Sequence, residues 1–203
     1  MAAELRWSEE TSPIRFLLVR HCETASNIKS VYAGRSDEGL TPSGRQQARA
    51  LANEVAGLDI DSVYTSPLRR AVQTAQIICS VLGTTPIIED SFAEFRLGIW
   101  EGMSENDVAR NFPHEWETWK TKPAEMVLEG RETLQELLQR VLTGLEKISA
   151  DSNISCALVV THVAIIRILL LHSKQMDPNL HRTIQVPNGE VFAIEASSIF
   201  RHF

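Results

Sequence analysis

The chain has 203 residues, 43% of them hydrophobic and 23% charged, which suits one soluble globular domain or two small ones. Twenty Lys and Arg against 26 Asp and Glu leave a net charge of −6, which argues against a general binder of nucleic acid or anionic membrane. The three cysteines, Cys22, Cys79 and Cys156, form neither a disulfide framework nor a zinc knuckle.

Residues 1–13 read as a polar leader without the apolar core of a secretory signal, and 14–203 as a single domain, with a cytoplasmic setting expected. RFLLVR (15–20) is a short continuous apolar run, the mark of a strand buried on both faces of a parallel sheet. Thr41-Pro42 offers an N-cap followed by proline at the first helical position. Ala48, Leu51, Ala52 and Val55 then repeat at helical spacing, and Gly57 is a stop. The pattern recurs with a strand at 62–65 and a helix opening at Ser66-Pro67 and running to Gly83. A third strand is expected at 86–89, an amphipathic helix over 132–148, a buried strand at 156–160, a helix over 163–172 and a last strand at 191–195. Alternating strands and helices imply an α/β layer structure with a mainly parallel central sheet. The segment 98–131 breaks this rhythm and reads as a helical excursion carrying Trp100, Phe112, Trp116 and Trp119, either core anchors or the wall of a substrate pocket.

Ligands of such sheets bind beyond the carboxyl ends of the strands. There the sequence sets Arg20-His21, Ser66 and Arg70, Glu94, and Thr161-His162. Two guanidinium groups and two imidazoles suit a doubly charged oxyanion, and amides at helix starts just after Ser66 and His162 would add donors. A neutral imidazole is a nucleophile toward phosphorus, neighbouring arginines favour the neutral form, and a carboxyl such as Glu94 can protonate a leaving oxygen. His21, Glu94 and His162 as metal ligands are disfavoured, because Arg20 and Arg70 would repel a cation.

The chain resembles the histidine phosphatase, or phosphoglycerate mutase-like, superfamily in five ordered blocks. FLLVRHCETASN is similar to L-V-R-H-G-E-T-x-x-N, and AGRSDEGLTPSGRQQA to G-x-x-D-x-x-L-T-x-x-G-x-x-Q-A. VYTSPLRRAVQTA matches S-x-L-x-R-A-x-x-T-A, FAEFRLGIWEG resembles L-R-E-x-x-x-G-x-W-E-G, and LVVTHVAIIR resembles L-V-V-[ST]-H-G-x-x-I-R. The resemblance implies a three-layer α/β/α sandwich and a metal-independent phosphomonoesterase of the histidine acid type, working through a phosphohistidine. It implies His21 as nucleophile, Glu94 as proton donor and His162 as the second histidine of the site. Arg20, Asn27, Arg70, His162 and the residue at Val163 would hold the phosphoryl group. Cys22, Ala33 and Gly34 are expected at the substrate pocket.

Three positions depart from the pattern: Cys22 and Val163 stand where it has glycine, and Ala93 where it has arginine. Cys22 is either a small residue filling a glycine position, strained if that position needs a positive φ, or a thiolate switch favoured by the nearby arginines. No metal and no cofactor are expected. The expected partner is a small phosphorylated metabolite, with a homodimer left open. Within the phosphatases the chain resembles the branch of α-ribazole phosphatase and broad-specificity enzymes, with EGRET in place of a G-G-E-S turn. The alternatives are a phosphoglycerate mutase, disfavoured by the short, mixed-charge 103–131 segment, and a phospholigand-binding protein with lapsed catalysis.

Overall fold

A computed structural model describes residues 14–200; the leader expected at 1–13 lies outside them. The first strand, β1 (Arg15–Arg20), is followed by a short helix α1 (Ala25–Lys29) and by α2 (Pro42–Val55). Then come β2 (Ser62–Thr65), α3 (Arg69–Leu82) and a two-residue β3 (Ile87–Ile88). The excursion holds α4 (Glu105–Asn111) and α5 (Pro113–Thr121), and the chain returns through α6 (Leu134–Ser149), β4 (Cys156–Thr161) and α7 (Val163–Ser173). It ends in β5 (Val191–Glu195) and α8 (Ala196–Ile199).

The sheet order is β3-β2-β4-β1-β5, parallel throughout except for β5, which runs antiparallel along β1. Alternation along β1 explains its unbroken apolar run. Phe16 and Leu18 join the core under α6 and α7, while Leu17 and Val19 join the core under α2 and α3. The sheet is therefore the middle of three layers. Among the described residues no helix is long and apolar enough to cross a membrane.

The expected helix starts hold where a cap is available. Thr41 accepts the Gly44 N–H at the head of α2, and Thr133 with Glu136 forms a capping box at the head of α6, two residues later than the apolar pattern suggests. Helix α3 is the correction. It opens at Arg69 behind an uncapped Leu68, three residues past Ser66, whose hydroxyl is already engaged by Leu68 N–H and by His162. The amide cluster expected directly after Ser66 is therefore displaced.

Register places the site. Arg20 pairs with Thr161 across β1 and β4, and Thr65 pairs with Val160 across β2 and β4. The next residues of these strands, His21, His162 and Ser66, thus share one rim of the sheet, joined by His21 N–H to Thr161 O (2.9 Å) and Ser66 N–H to Val160 O (3.0 Å).

Candidate active site

Beyond that rim opens a cavity of about 700 Å³. Of the residues read from the sequence, Arg20, His21, Asn27, Ala33, Gly34, Arg70, Glu94 and Val163 line it. His162 and Cys22 do not.

His21 is held in one tautomer by its two neighbours. Its Nδ1 lies 2.8 Å from the Cys22 carbonyl oxygen, which only accepts, so this nitrogen carries the proton. Its Nε2 lies 3.3 Å from Nε of Arg70, which only donates, so Nε2 presents a lone pair. Burial first, then Arg70 and Arg20, push the His21 pKa well below the ordinary imidazole value, so the ring is neutral at pH 7.

Arg70 is buried, and its Nη1 and Nη2 donate to the carbonyl oxygens of Ser36 (2.8 Å) and Gly34 (2.7 Å). Gly34 is required there. Its φ is +50°, and a Cβ would meet the Glu101 side chain at 2.4–2.5 Å. Arg20 donates from Nη1 to Val186 O (2.5 Å), and its buried Nε has no partner. Neither guanidinium has a carboxylate within ion-pair distance among the described residues. The wall therefore presents two guanidinium groups free of ion pairs among the described residues, with Glu94 and Glu105 also lining the cavity. Asn27 loads its Oδ1 with donors from Thr24 and from Asn188 Nδ2 (3.0 Å), and its amide nitrogen makes no hydrogen bond among the described residues.

His162 packs behind His21, ring centroids 5.1 Å apart. Its Nε2 is 2.7 Å from Ser66 Oγ, and its buried Nδ1 has no partner. Burial, then Arg70 and His21, hold it neutral too. Glu94 is buried on a loop between two 3-10 turns, Asp90–Phe92 and Gly98–Trp100, with Oε1 accepting the Phe95 N–H at 2.7 Å. Burial raises its pKa against the opposing pull of that N–H and of Arg70, Arg20 and Arg140.

Cys22 corrects the pocket placement and decides between its two readings. Its side chain is fully buried in the core under α2 and α3, facing away from the cavity, and its N–H donates to Thr74 Oγ1 (3.1 Å). Burial pushes the thiol up to about 11, so it is neither a pocket wall nor a thiolate. It is also absent from the positive-φ residues, so no strain attaches to replacing glycine here.

The excursion serves as both core and pocket. Trp100 is fully buried, whereas Trp119 packs edge-on against it (6.4 Å) and also lines the cavity. Sequence reasoning missed Arg167, His181 and Asn188, which line the cavity as well. Arg167 carried a signal, since it lies one helical turn beyond Val163 on α7; His181 and Asn188 carried none. Among the described residues no group of three or more His, Cys, Asp or Glu side chains is placed to hold a metal ion.

This geometry can seat an oxyanion against an unprotonated histidine nitrogen in a cavity that also holds a protonatable carboxyl. Residues 16–198 match the family model of the histidine phosphatase superfamily, branch 1. Phosphoserine phosphatase 1 of Hydrogenobacter thermophilus is 31% identical over 154 residues, 76% of this chain and 73% of that protein. Among solved structures, Bacillus stearothermophilus YhfR is similar with a TM-score of 0.84 at 25% identity, covering 90% of this chain and 91% of that one. The α-ribazole phosphatase from Shigella flexneri gives 0.79 at 25% identity, with 90% of each chain covered. The chain belongs to the histidine phosphatase superfamily and is a phosphatase of the α/β, phosphoglycerate mutase-like fold.

Proposed function

We propose that this protein hydrolyses small phosphomonoesters without a metal, through a phosphohistidine on His21. The observation that carries the reading is the unprotonated Nε2 of His21 beside Arg70, in a cavity where neither Arg20 nor Arg70 has a carboxylate within ion-pair distance among the described residues. The substrate phosphoryl group would take the place facing Nε2. Arg20, Arg70 and the Asn27 side-chain amide, which line the cavity, would donate to its oxygens, and by resemblance to the family the unpartnered Nδ1–H of His162, buried behind the cavity wall, would join them. Ser66 supports that role for His162, because a hydroxyl proton given to Nε2 leaves the ring proton on Nδ1.

In the first step Nε2 forms a bond to phosphorus and the ester P–O bond breaks, with the Glu94 proton passing to the leaving oxygen. In the second, water attacks phosphorus, Glu94 takes its proton, the N–P bond breaks and inorganic phosphate leaves. The guanidinium groups stabilise the charge that builds on the phosphoryl oxygens, each such contact being worth about 10²–10³ in rate. A cavity of about 700 Å³ suits a metabolite-sized ester. The test is hydrolysis of p-nitrophenyl phosphate and of a panel of metabolite phosphates in EDTA, wild type beside His21→Ala. Turnover by the wild type alone supports the reading; equal rates for the two proteins overturn it.

A further inference from the structure

Glu94 sits on a loop with no regular structure of its own, and the position before it is Ala93, where the family pattern quoted above has arginine. Two other arginines converge on this loop. Arg140 reaches across from α6, placing Nη1 2.6 Å from Ser91 O and Nη2 3.3 Å from Glu94 O. The same guanidinium is gripped from the other side by both carboxylate oxygens of Glu132, at 2.5 Å and 2.9 Å. Glu132 is in turn stitched to the loop: its Oε2 accepts Arg96 N–H (3.3 Å), and its own N–H donates to Arg96 O (3.0 Å). Its side chain is only 9% exposed and that of Arg140 21%, so the pair is partly shielded from water. The second arginine, Arg35, donates from Nε to the Glu94 carbonyl at 3.1 Å. Arg35 lies between Gly34 and Ser36, whose carbonyls hold Arg70, so one strap ties the anion-binding arginine to the backbone of the acid.

We propose that Arg140, locked by Glu132, and Arg35 are positioning residues that clamp the Glu94 loop in place of the arginine absent at position 93. The inference rests on Glu94 being the proton donor. A planar guanidinium can bridge two carbonyls and a carboxylate at once, which a lysine ammonium cannot do in one fixed geometry. The clamp hydrogen-bonds only backbone around Glu94, and the Arg140 charge also draws the carboxyl's pKa down, so it acts through where the carboxyl stands and through how firmly it holds its proton. A displacement of about 1 Å in a reacting group is enough to cost roughly 10²-fold in rate.

The experiment compares two substrates, p-nitrophenyl phosphate, whose leaving group needs little protonation, and glycerol 2-phosphate, whose alkoxide needs a proton. Arg140→Met and Arg35→Met are expected to lose about tenfold or more in kcat on glycerol 2-phosphate and less than about threefold on p-nitrophenyl phosphate. Arg140→Lys should recover part of the difference, and Glu132→Gln, which preserves size, should show a weaker form of the same selectivity. Similar losses on both substrates, or none on either, overturn the clamp; should Arg140→Met not fold, Arg140→Lys and Glu132→Gln decide the matter by the same ratio. Glu94→Gln is measured alongside. If it shows the selective loss while the clamp variants do not, only the clamp fails. If it loses both substrates alike, the acid reading fails and takes the clamp with it.

Discussion

The Nε of Arg70 lies 3.3 Å from Nε2 of His21, so in the proposed reaction the residue that would draw in the anion also marks the nitrogen that would attack it. The contact disfavours imidazolium formation and leaves the Nε2 lone pair facing the Arg70 guanidinium at the cavity wall. In the proposed mechanism an entering phosphoryl oxygen would take the Arg70 donor from nitrogen and release the lone pair where phosphorus arrives. On that proposal substrate binding and activation of the nucleophile would be one exchange of hydrogen bonds.

The pH dependence of turnover follows from two buried groups displaced in opposite senses. His21 is neutral well below pH 6.5, so its protonation sets no acidic limb near neutrality. Glu94 must hold a proton to give, and burial raises its pKa above the ordinary carboxylate value. For an alkyl phosphate, kcat should therefore be highest on the acidic side and fall by about tenfold per pH unit above the Glu94 pKa. In Glu94→Gln that decline should disappear, leaving a low, flat profile. A decline of the same shape in the variant would assign it to another group.

Stability should fall on mild acidification, for a separate reason. His21, His162 and His181 are all buried and neutral, the last held to about 3 by burial and by Arg167. The unfolded chain takes up protons on these rings below about pH 6.5 and the folded protein does not, so stability declines as pH falls through that value. Well below it, each ring contributes about 1.4 kcal/mol per pH unit. Glu94, with its raised folded pKa, opposes this by favouring the folded state at low pH. Urea unfolding at pH 7.5 and 5.5 measures the slope, and His181→Gln should remove about a third of the histidine share. A midpoint independent of pH would contradict the assignment.

The glycine of the T-P-S-G run has a packing reason. A Cβ on Gly44 would stand 2.2 Å from the Glu23 carbonyl oxygen, where the head of α2 closes on the segment just after His21, alongside the Thr41 N–H to Glu23 O bond of 3.0 Å. Gly44→Ala should destabilise by about 1–3 kcal/mol through overpacking. Gly57→Ala, where a Cβ meets nothing within 4 Å, should be neutral or stabilise slightly. Thermal melts of the two variants give the comparison; equal shifts would remove the packing argument.

Arg131 is a buried guanidinium whose three nitrogens have no hydrogen-bond partner, resting against the rings of Trp119 (4.2 Å), Phe95 (4.6 Å) and Trp100 (5.5 Å). Burial lowers its pKa to about 10. Ring contacts return about 0.5–2 kcal/mol each, against a desolvation cost of several kcal/mol for an unpaired ion. Arg131→Met, which keeps the length and drops the charge, should melt at or above the wild-type temperature. A loss of more than about 2 kcal/mol would show that the aromatic contacts outweigh desolvation.

Much of this arrangement was legible in the residues because local chemistry dictated it. The apolar runs of β1 and β4 need burial on both faces, Thr41-Pro42 caps α2, and the polar residues at the strand ends fall on one rim once the register is set. Helix α1 escaped because it is five residues long and buries none of them, leaving no periodicity to detect. The start of α3 was misplaced because Ser66, a good cap by type, hydrogen-bonds His162 across a sequence gap of 96 residues. The outward reading of Cys22 failed because the chain turns after His21 and sends the next side chain to the other face of the sheet. Arg140 and Glu132 lie on the far side of the excursion from Glu94, and only the packing of α6 brings them to it.

The central claim is a covalent bond between phosphorus and His21. The direct measurement mixes enzyme with excess p-nitrophenyl phosphate, stops the reaction in alkali, where a phosphohistidine survives, and reads the mass of the peptide containing His21. The account predicts the added mass of one phosphoryl group on that peptide, absent in His21→Ala and lost on acid treatment. Multiple turnovers with no phosphoryl group on His21, at any quench time, would contradict it and point to direct attack by water.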